Sequence, residues 1–272
     1  MQVVLEGLVF PESPRWHDGA LWLSDWGAHE VIRLEEGGRA EVVARVPSFP
    51  MCIDHLPDGR LLVVDANGPQ LLRQEPGAAL VRHADLSGVS RKPWNDLTVD
   101  HRGNAYVNNV GFDFPGGEFA PGLIARVSAE GAVTQVADGL AFPNGMAVTR
   151  DGTLLVAESY AARITAFDIA ADGTLSDARV WAELGDAAPD GICLDAEGAL
   201  WYADVPHRRC VRVREGGEVL ATVELDRGAF SCALSDTTLY VTTNDWQGPD
   251  QLGSGRRGQV VAVDAPAPRA VR

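Results

Sequence analysis

The chain has 272 residues, of which 46% are apolar and 22% are charged, a composition that is typical of folded globular proteins and excludes wholesale disorder. Its 38 acidic and 23 basic residues give a formal net charge of -15, which disfavours nucleic acid and anionic membranes as partners. No apolar run reaches the roughly 18 residues that span a bilayer, and the first residues do not resemble a signal peptide. We therefore expect a cytoplasmic protein.

Six segments of the chain repeat the order strand, tight turn, strand. They begin at Glu12, Met51, Asn95, Asn144, Asp190 and Phe230. Their turns are marked by Gly19, Gly59, Gly103, Gly152, Gly198 and Thr237, at spacings of 39 to 49 residues. Most copies continue with a second hairpin signal, which makes four strands per repeat. This repeat length and content are typical of the blades of a β-propeller.

The last repeat lacks a fourth strand. It ends after a third strand-like segment, GQVVAVD, whereas the chain begins with an unpartnered one, QVVLEGL. Pairing these two segments would close the ring and leave no open sheet edge. The sequence therefore predicts an all-β fold, with one six-bladed β-propeller domain over residues 1–272. Each blade has four antiparallel strands, and the N-terminal strand closes the ring.

Four oxygen-bearing side chains share one position in the repeats. Counting back from the turn glycine reaches them at the start of the first strand, and they are Glu12, Asn95, Asn144 and Asp190. First strands line the channel of a propeller, so these side chains should converge at one mouth. Two carboxylates and two amides suit a hard divalent cation such as Ca²⁺, Mg²⁺ or Mn²⁺, although carboxylates also bind Zn²⁺. The four cysteines form no C-x-x-C pair, which argues against a thiolate zinc site.

Two alternative interpretations of these residues remain open. Asn144 and Asp190 are each followed by glycine, and Asn-Gly and Asp-Gly are strong hairpin-turn signals. A turn at either place would leave only about four residues before the next glycine turn, which is short for a strand. Glu12 could equally be a solvated carboxylate at the surface.

Four motifs that together span nearly the whole chain carry a resemblance to a known family. They are FPESPRW from Phe10, WND from Trp94, FPNGMAVTRDGTLLVAES from Phe142 and PDGICLDAEGALWYAD from Pro189. They resemble the family of senescence marker protein 30, gluconolactonase and luciferin-regenerating enzyme, which are six-bladed, metal-dependent lactonases. The resemblance implies that Glu12, Asn144 and Asp190 bind the metal and that Asp190 is the general base. It also implies that Asn95 contacts metal-bound water or substrate.

The chain departs from the sugar lactonases of this family at two positions. Pro93 replaces the arginine expected two residues before Asn95, and Phe112 stands near the expected position of a glutamate. In the family both polar groups help to bind sugar hydroxyls. We therefore expect a preference for less hydroxylated, more apolar lactones.

Two irregular loops, residues 111–122 and 244–258, follow second strands and should overhang the same mouth. Their aromatic residues would give the cavity apolar walls, or would pack the loops against each other. The predicted substrate contacts around the mouth are Asn95, Asp96, Met51, Trp94, Phe112, His207, Phe230 and Trp246. Two of these have a plain structural alternative: Asp96 as an acceptor for loop amides, and His207 as a surface histidine.

These features predict a hydrolase that opens a small lactone with a metal-activated water and one divalent cation, in a monomer or weak dimer. Asp190 and Asn95 are the predicted catalytic residues. No G-x-S-x-G nucleophile elbow occurs, which disfavours a covalent serine mechanism. The alternatives are a promiscuous ester or phosphotriester hydrolase of the same fold and a non-catalytic binding propeller whose metal is structural.

Overall fold

The chain folds into β-strands joined by turns, with no helix in the part that the structure describes. A computed structural model describes residues 1–46, 48, 50–77, 79–245 and 255–270. Within these residues, 24 strands form six four-stranded antiparallel sheets, which confirms the predicted fold class. Short runs rich in Val, Leu and Ile lie between closely spaced turns, and this pattern favours strands over helices.

Each sheet is one blade, and the blades are numbered in chain order. Blades 1 and 2 contain β2 (Pro11–His17), β3 (Ala20–Asp25), β4 (Glu30–Glu35), β5 (Ala40–Arg45), then β6 (Pro50–His55), β7 (Leu61–Asp65), β8 (Gln70–Gln74) and β9 (Leu80–Asp85). Blades 3 and 4 contain β10 (Trp94–Val99), β11 (Ala105–Asn109), β12 (Gly122–Val127), β13 (Val133–Leu140), then β14 (Pro143–Val148), β15 (Thr153–Glu158), β16 (Arg163–Ile169) and β17 (Leu175–Glu183). Blade 5 contains β18 (Pro189–Leu194), β19 (Leu200–Asp204), β20 (Arg209–Val213) and β21 (Val219–Glu224). Blade 6 contains the N-terminal strand β1 (Gln2–Leu8) together with β22 (Gly228–Leu234), β23 (Thr238–Asn244) and β24 (Gly258–Asp264).

Blade 6 closes the ring in the way that the sequence predicts. β1 pairs antiparallel with β24, from Gln2 opposite Ala262 to Leu8 opposite Gly258. The sheet order β1-β24-β23-β22 places the N-terminal strand at the outer edge of the blade. The first strands of successive blades contact one another all the way round, from β2 beside β6 to β22 beside β2. These six strands line the channel.

The space between neighbouring blades holds the apolar core. Its three largest fully buried side chains are Trp94, Tyr106 and Trp201. They pack in separate clusters, between blades 2 and 3, blades 3 and 4, and blades 5 and 6 respectively. None of the described segments is a helix that is long and apolar enough to cross a membrane.

Every channel strand is irregular near its start. Its register against the second strand shifts between Pro143 and Met146 in β14, and between Pro189 and Ile192 in β18. The same shift occurs near the start of β2, β6, β10 and β22. A β-bulge of this kind adds a residue on one strand and re-aims its side chain. The bulges therefore set the direction of the side chains at one end of the channel.

The Asn-Gly and Asp-Gly pairs lie within strands, so their interpretation as hairpin turns is wrong. Gly145 belongs to β14 and Gly191 to β18. A Cβ atom on Gly145 would lie 2.6 Å from the carbonyl oxygen of Asp190, and one on Gly191 would lie 2.7 Å from the Cα of Ser231. Neighbouring channel strands thus approach each other more closely than any larger residue allows. Glycine is required here by space.

A candidate active site at one end of the channel

One end of the channel opens into a cavity of about 720 Å³. Its walls are the starts of the channel strands and the segments that follow the second strands. Four lining residues form what we call the oxygen cluster: Glu12, Asn95, Asn144 and Asp190. They come from blades 1, 3, 4 and 5, so the structure brings together side chains that are far apart in sequence. A cavity of this volume is large enough for a ligand of drug-like size.

Three members of the oxygen cluster are joined by hydrogen bonds. The Asn95 Nδ2 donates to the Asn144 Oδ1 at 3.2 Å, and the Asn144 side chain also bonds to the Asp190 carboxyl. The Asn144 Nδ2 lies 3.3 Å from the Ser159 Oγ, which donates to the Pro189 carbonyl at 2.7 Å. These bonds tie blades 3, 4 and 5 together at the cavity and fix the direction of both amides.

Glu12, the fourth member, is held by an unusual backbone conformation. Ser13 follows it with a φ of +49°, although Ser13 is buried. The Ser13 N–H donates to the Glu12 carboxylate at 2.7 Å, and the Ile53 N–H donates to the Ser13 Oγ at 2.9 Å. These bonds offset the strain of a left-handed residue, about 1 to 3 kcal/mol. Ser13 stands where blades 4 and 5 carry Gly145 and Gly191.

A second set of repeated polar residues fixes the segments that lead into the channel strands. Each second strand ends in a buried acid or amide, and these are Asp25, Asp65, Asn109, Glu158, Asp204 and Asn244. Asp25 accepts the N–H groups of Val9 and Phe10 at 2.9 and 2.8 Å, just before β2. Glu158 accepts the N–H of Ala141 at 2.7 Å, just before β14. The backbone that presents the oxygen cluster is therefore anchored from the neighbouring strand.

The two carboxyls of the oxygen cluster hold their protons unusually tightly. Burial raises the pKa of Glu12 to about 8 against the opposing hydrogen bond from Ser13, and the nearby Asp96 adds to the rise. Burial also raises the pKa of Asp190 well above its usual range, with further contributions from Glu12 and then Asp96. Ionising both carboxyls in this buried place is therefore unfavourable, although the hydrogen bond from Ser13 and the charge of Arg15 favour the ionised form of Glu12.

A buried ion pair lies beside the oxygen cluster, deeper in the channel. The Arg15 Nη2 donates to the Asp96 Oδ1 at 3.0 Å and to the Leu97 carbonyl at 3.1 Å. The other carboxylate oxygen of Asp96 accepts the Met146 N–H at 2.7 Å. Asp96 therefore links blades 1, 3 and 4 and does not line the cavity. This contact set matches its alternative role as an acceptor for backbone amides, here from a strand and not from a loop.

The oxygen cluster fits a hard divalent cation. Carboxylate and amide oxygens are the ligands that such ions prefer, and a cation would balance Glu12 and Asp190, which are close enough to disfavour each other's charge. Nowhere in the described ranges do three or more His, Cys, Asp or Glu residues lie together in a way that could hold a metal. If a cation binds at the cluster, a third side-chain ligand from it would be an amide, and Asn144 is the amide bonded to Asp190.

The remaining predicted substrate contacts are split between the cavity and its surroundings. Met51 and Phe230 line the cavity. Trp94 does not, because side chains alternate along a strand and Trp94 points into the core between blades 2 and 3. Phe112 is buried behind the wall, against Phe114 and Phe142.

The last two predicted contacts are His207, which lies outside the cavity, and Trp246, which lies outside the described residues. The His207 Nδ1 lies 2.9 Å from the buried Asp204 carboxylate, and His207 does not line the cavity. This placement matches the alternative role of a surface histidine. Trp246 and most of the loop 244–258 lie outside the described residues.

Several residues that line the cavity were not predicted. Trp26, Asn67, Ser159, Tyr160 and Val205 come one or two positions after the acid or amide that ends each second strand. That repeated acid or amide is visible in the sequence and marks where the chain leaves the blade at the mouth. Phe10 and Phe142 precede the channel strands of blades 1 and 4. The sequence signal for both is their position two residues before Glu12 and Asn144, which occupy the same position in their repeats.

Comparison with known proteins places this architecture in a family. The sequence profile of the SMP-30/Gluconolactonase/LRE-like region matches residues 10–245. A pentonolactonase of Haloferax volcanii is 29% identical over 172 residues, which cover 60% of this chain and 57% of that protein. A diisopropyl-fluorophosphatase of Loligo vulgaris is 27% identical over 206 residues, covering 65% of this chain and 63% of that protein.

A solved structure supports the fold over the whole chain. The calcium-binding protein regucalcin of Agrobacterium tumefaciens superposes with a TM-score of 0.79 at 20% identity, covering 99% of this chain and 96% of that one. At this identity the likeness concerns the fold. The same six-bladed architecture is thus found in a protein described as binding calcium.

Proposed function

Because the chain belongs to the SMP-30/Gluconolactonase/LRE-like family, we propose that it is a hydrolase that opens a lactone ring at the oxygen cluster with the help of one divalent cation. One observation carries this proposal: Glu12, Asn95, Asn144 and Asp190 converge from four blades at one end of a cavity that is otherwise mainly apolar. The similarity to a pentonolactonase supports the substrate class.

Glu12, Asn144 and Asp190 are the residues that would hold the cation, as Ca²⁺, Mg²⁺, Mn²⁺ or Zn²⁺. When bound there, such an ion supplies Lewis-acid chemistry, which polarises an ester carbonyl and lowers the pKa of water. The calcium-binding protein of the same fold supports Ca²⁺ as the first ion to test.

Two side chains of the oxygen cluster would take part in proton transfer and in stabilising the developing charge. Asp190 accepts the proton of the attacking water, a role that contributes roughly 100- to 10,000-fold in rate. The Asn95 Nδ2 donates to the Pro143 carbonyl and to the Asn144 Oδ1 in the structure, and it would exchange one of these acceptors for the substrate carbonyl oxygen as that oxygen gains charge. Apolar walls around the cluster exclude bulk water and strengthen these interactions.

The test is a turnover panel on chelated and reloaded protein. We expect hydrolysis of lactones with Ca²⁺, Mg²⁺, Mn²⁺ or Zn²⁺ added, and its loss after exhaustive chelation. Full activity in the chelated protein would refute the role of the cation. No turnover of any lactone or ester by cation-loaded protein would favour a binding propeller whose metal is structural.

A second candidate function is hydrolysis of phosphotriesters. The similarity to a diisopropyl-fluorophosphatase and the apolar cavity favour it, because such substrates are neutral and carry alkyl groups. The same panel separates the two functions when it includes an aryl ester and a phosphotriester. A kcat/KM for the phosphotriester above that for every lactone would make phosphotriester hydrolysis the first candidate function and lactone hydrolysis the second.

A further inference from the structure

Aromatic side chains line the cavity on two opposite sides. Phe10, Trp26 and Phe230 belong to blades 1 and 6, whereas Phe114, Phe142 and Tyr160 belong to blades 3 and 4. In a closed ring of six blades, blade 1 faces blade 4 and blade 6 faces blade 3. The two groups of three, which we call the first and second aromatic walls, therefore face each other across the cavity.

The first aromatic wall is tightly packed. The rings of Phe10 and Trp26 stack with centroids 5.3 Å apart, and those of Phe10 and Phe230 meet edge to face at 4.7 Å. The indole N–H of Trp26 donates to the Met51 carbonyl. This bond and these contacts hold the rings in place before a ligand arrives, so binding costs them little conformational entropy.

The second aromatic wall is backed by the loop 111–122. Phe142 stacks on Tyr160 at 4.7 Å and meets Phe114 edge to face at 5.0 Å. Phe112 packs behind them, 5.8 Å from Phe142. Although it stacks on Phe142, Tyr160 is 57% exposed, a large fraction for an aromatic residue. Its ring is available at the cavity rim.

Polar groups are scarce between the two walls. Outside the oxygen cluster, the described lining has side-chain nitrogen or oxygen atoms only in Trp26, Asn67, Ser159 and Tyr160. Two of these are already used, because the Trp26 N–H donates to the Met51 carbonyl and the Ser159 hydroxyl donates to the Pro189 carbonyl. A polyol placed between the walls would lose more hydrogen bonds to water than these few groups can replace. Each such group weakens binding by roughly 5- to 100-fold.

We propose that the lactones this site takes best carry an aromatic substituent, which lies between the two aromatic walls while the ester group meets the oxygen cluster. This inference rests on the proposed lactone hydrolysis and names its substrate class. The size of the cavity supports it, since about 720 Å³ leaves room for a ring system beside the lactone. Aromatic rings on both sides, in contact by face or by edge, favour a planar aromatic group over an alkyl group of equal area.

The reaction balances without any further reactant. Water adds its oxygen to the acyl carbon, and one of its protons passes to Asp190. The bond between the acyl carbon and the ring oxygen then breaks, and the ring oxygen takes up the proton that Asp190 accepted. The product is a hydroxy acid that keeps the aromatic substituent, and nothing is oxidised or reduced.

Three five-membered lactones that differ in their substituents test the inference on cation-loaded protein. They are a phenyl-substituted lactone, its cyclohexyl counterpart and a pentonolactone. We expect kcat/KM for the phenyl compound to exceed that for the cyclohexyl compound by about 3- to 10-fold, since an aromatic pair gains this much beyond buried area. The pentonolactone should be slowest, by 30-fold or more relative to the phenyl compound.

Matched variants locate the effect at the second aromatic wall. Tyr160→Ala should lower kcat/KM for the phenyl compound about 3- to 10-fold, mainly through KM, and change the value for the pentonolactone by less than that. Tyr160→Phe should restore the wild-type value because it keeps the ring. Val180→Ala is the control: Val180 is 48% exposed, lies on β17 of the same blade as Tyr160 and does not line the cavity, so no value should change.

The possible results separate the inference from the function on which it rests. Turnover with the pentonolactone as the preferred substrate, or equal phenyl and cyclohexyl values with no effect of Tyr160→Ala, overturns the inference alone. Absence of turnover with all three lactones overturns the proposed hydrolysis and the inference with it.

Discussion

The two ends of the channel differ in chemistry although the same six strands build both. Where these strands begin, bulges and strand-end anchors gather the oxygen cluster beneath aromatic walls. Where they end, a smaller cavity of about 330 Å³ is lined by Arg15, the histidines His17 and His55, and the thiols of Cys193 and Cys232. The second end carries nitrogen and sulfur groups, and the turns there are short. The position of a residue along its strand therefore decides which chemistry it can join.

The groups at the second end lie in contact with one another. His17 stacks on His55 with ring centroids 3.9 Å apart, and the Cys193 and Cys232 sulfurs lie 3.6 Å apart. Arg15 is paired with Asp96. By contrast, Glu12 and Asp190 gain little relief from neighbours, and the pKa of each carboxyl is raised by burial. This difference indicates a ligand site at the first end and structural packing at the second.

Both ends of the channel exist only in a closed ring, so opening the ring should have the largest effect on stability. Deleting residues 2–8 removes β1 and leaves β24 as an open edge in blade 6. We expect loss of cooperative thermal unfolding, since every blade packs on two neighbours. Glu6→Ala, an exposed change within the same strand, should alter Tm little. An unchanged Tm in the deletion variant would contradict the closure.

Two substitutions in one strand compare the two ends directly, since Asp190 and Cys193 both belong to β18. Asp190→Ala removes a cation ligand and the proposed base, so kcat for lactone hydrolysis should fall by roughly 100- to 10,000-fold. Asn95→Ala should cost less, and Cys193→Ser at the other end should stay within about 2-fold of wild type. A loss for Cys193→Ser as large as that for Asp190→Ala would break the distinction between the ends.

A change at the close approach of two channel strands should disturb the first end through its backbone. Gly145→Ala places a methyl group 2.6 Å from both the Asp190 carbonyl oxygen and the Ile192 nitrogen. We expect a loss of about 1 to 3 kcal/mol in the free energy of unfolding, measured in urea, together with reduced turnover. Gly88→Ala, at an exposed glycine with open space around it, is the control and should do neither.

The smallest expected effect is the change of the free energy of unfolding with pH that Glu12 causes. Burial raises the pKa of Glu12 from 4.5 to about 8, so the folded chelated protein binds more protons than the unfolded chain between these values. The free energy of unfolding should therefore fall as pH rises from about 4.5 to 8. Glu12→Gln should flatten this slope, and added Ca²⁺ should offset the loss near pH 8. A wild-type slope of opposite sign would show that Glu12 is ionised without a cation.

Much of the fold follows from the sequence because each of the six repeats carries the same pattern of strands and turns. Six turns in phase and one missing strand at the end of the chain sufficed to predict the closed ring. The phase of the repeats also identified Glu12, Asn144 and Asp190 as neighbours, because each begins a channel strand.

The sequence could not show where the strands bend or which face an aromatic residue takes. A bulge depends on tertiary contact between strands, so the requirement for glycine at Gly145 appears only when the Asp190 backbone is placed beside it. Trp94 was assigned to the cavity from its place next to Asn95, whereas alternation along β10 turns it into the core. Tyr160 was missed because its role depends on stacking with Phe142.

The most direct test of the central claim is calorimetric titration of a divalent cation into chelated protein. We predict one site for Ca²⁺ in the wild type, with affinity lost in Glu12→Gln and in Asp190→Asn and retained in Cys193→Ser at the other end. Retained binding in both carboxylate variants, or loss only in the variant at the second end, would contradict the assignment of the cation to the oxygen cluster.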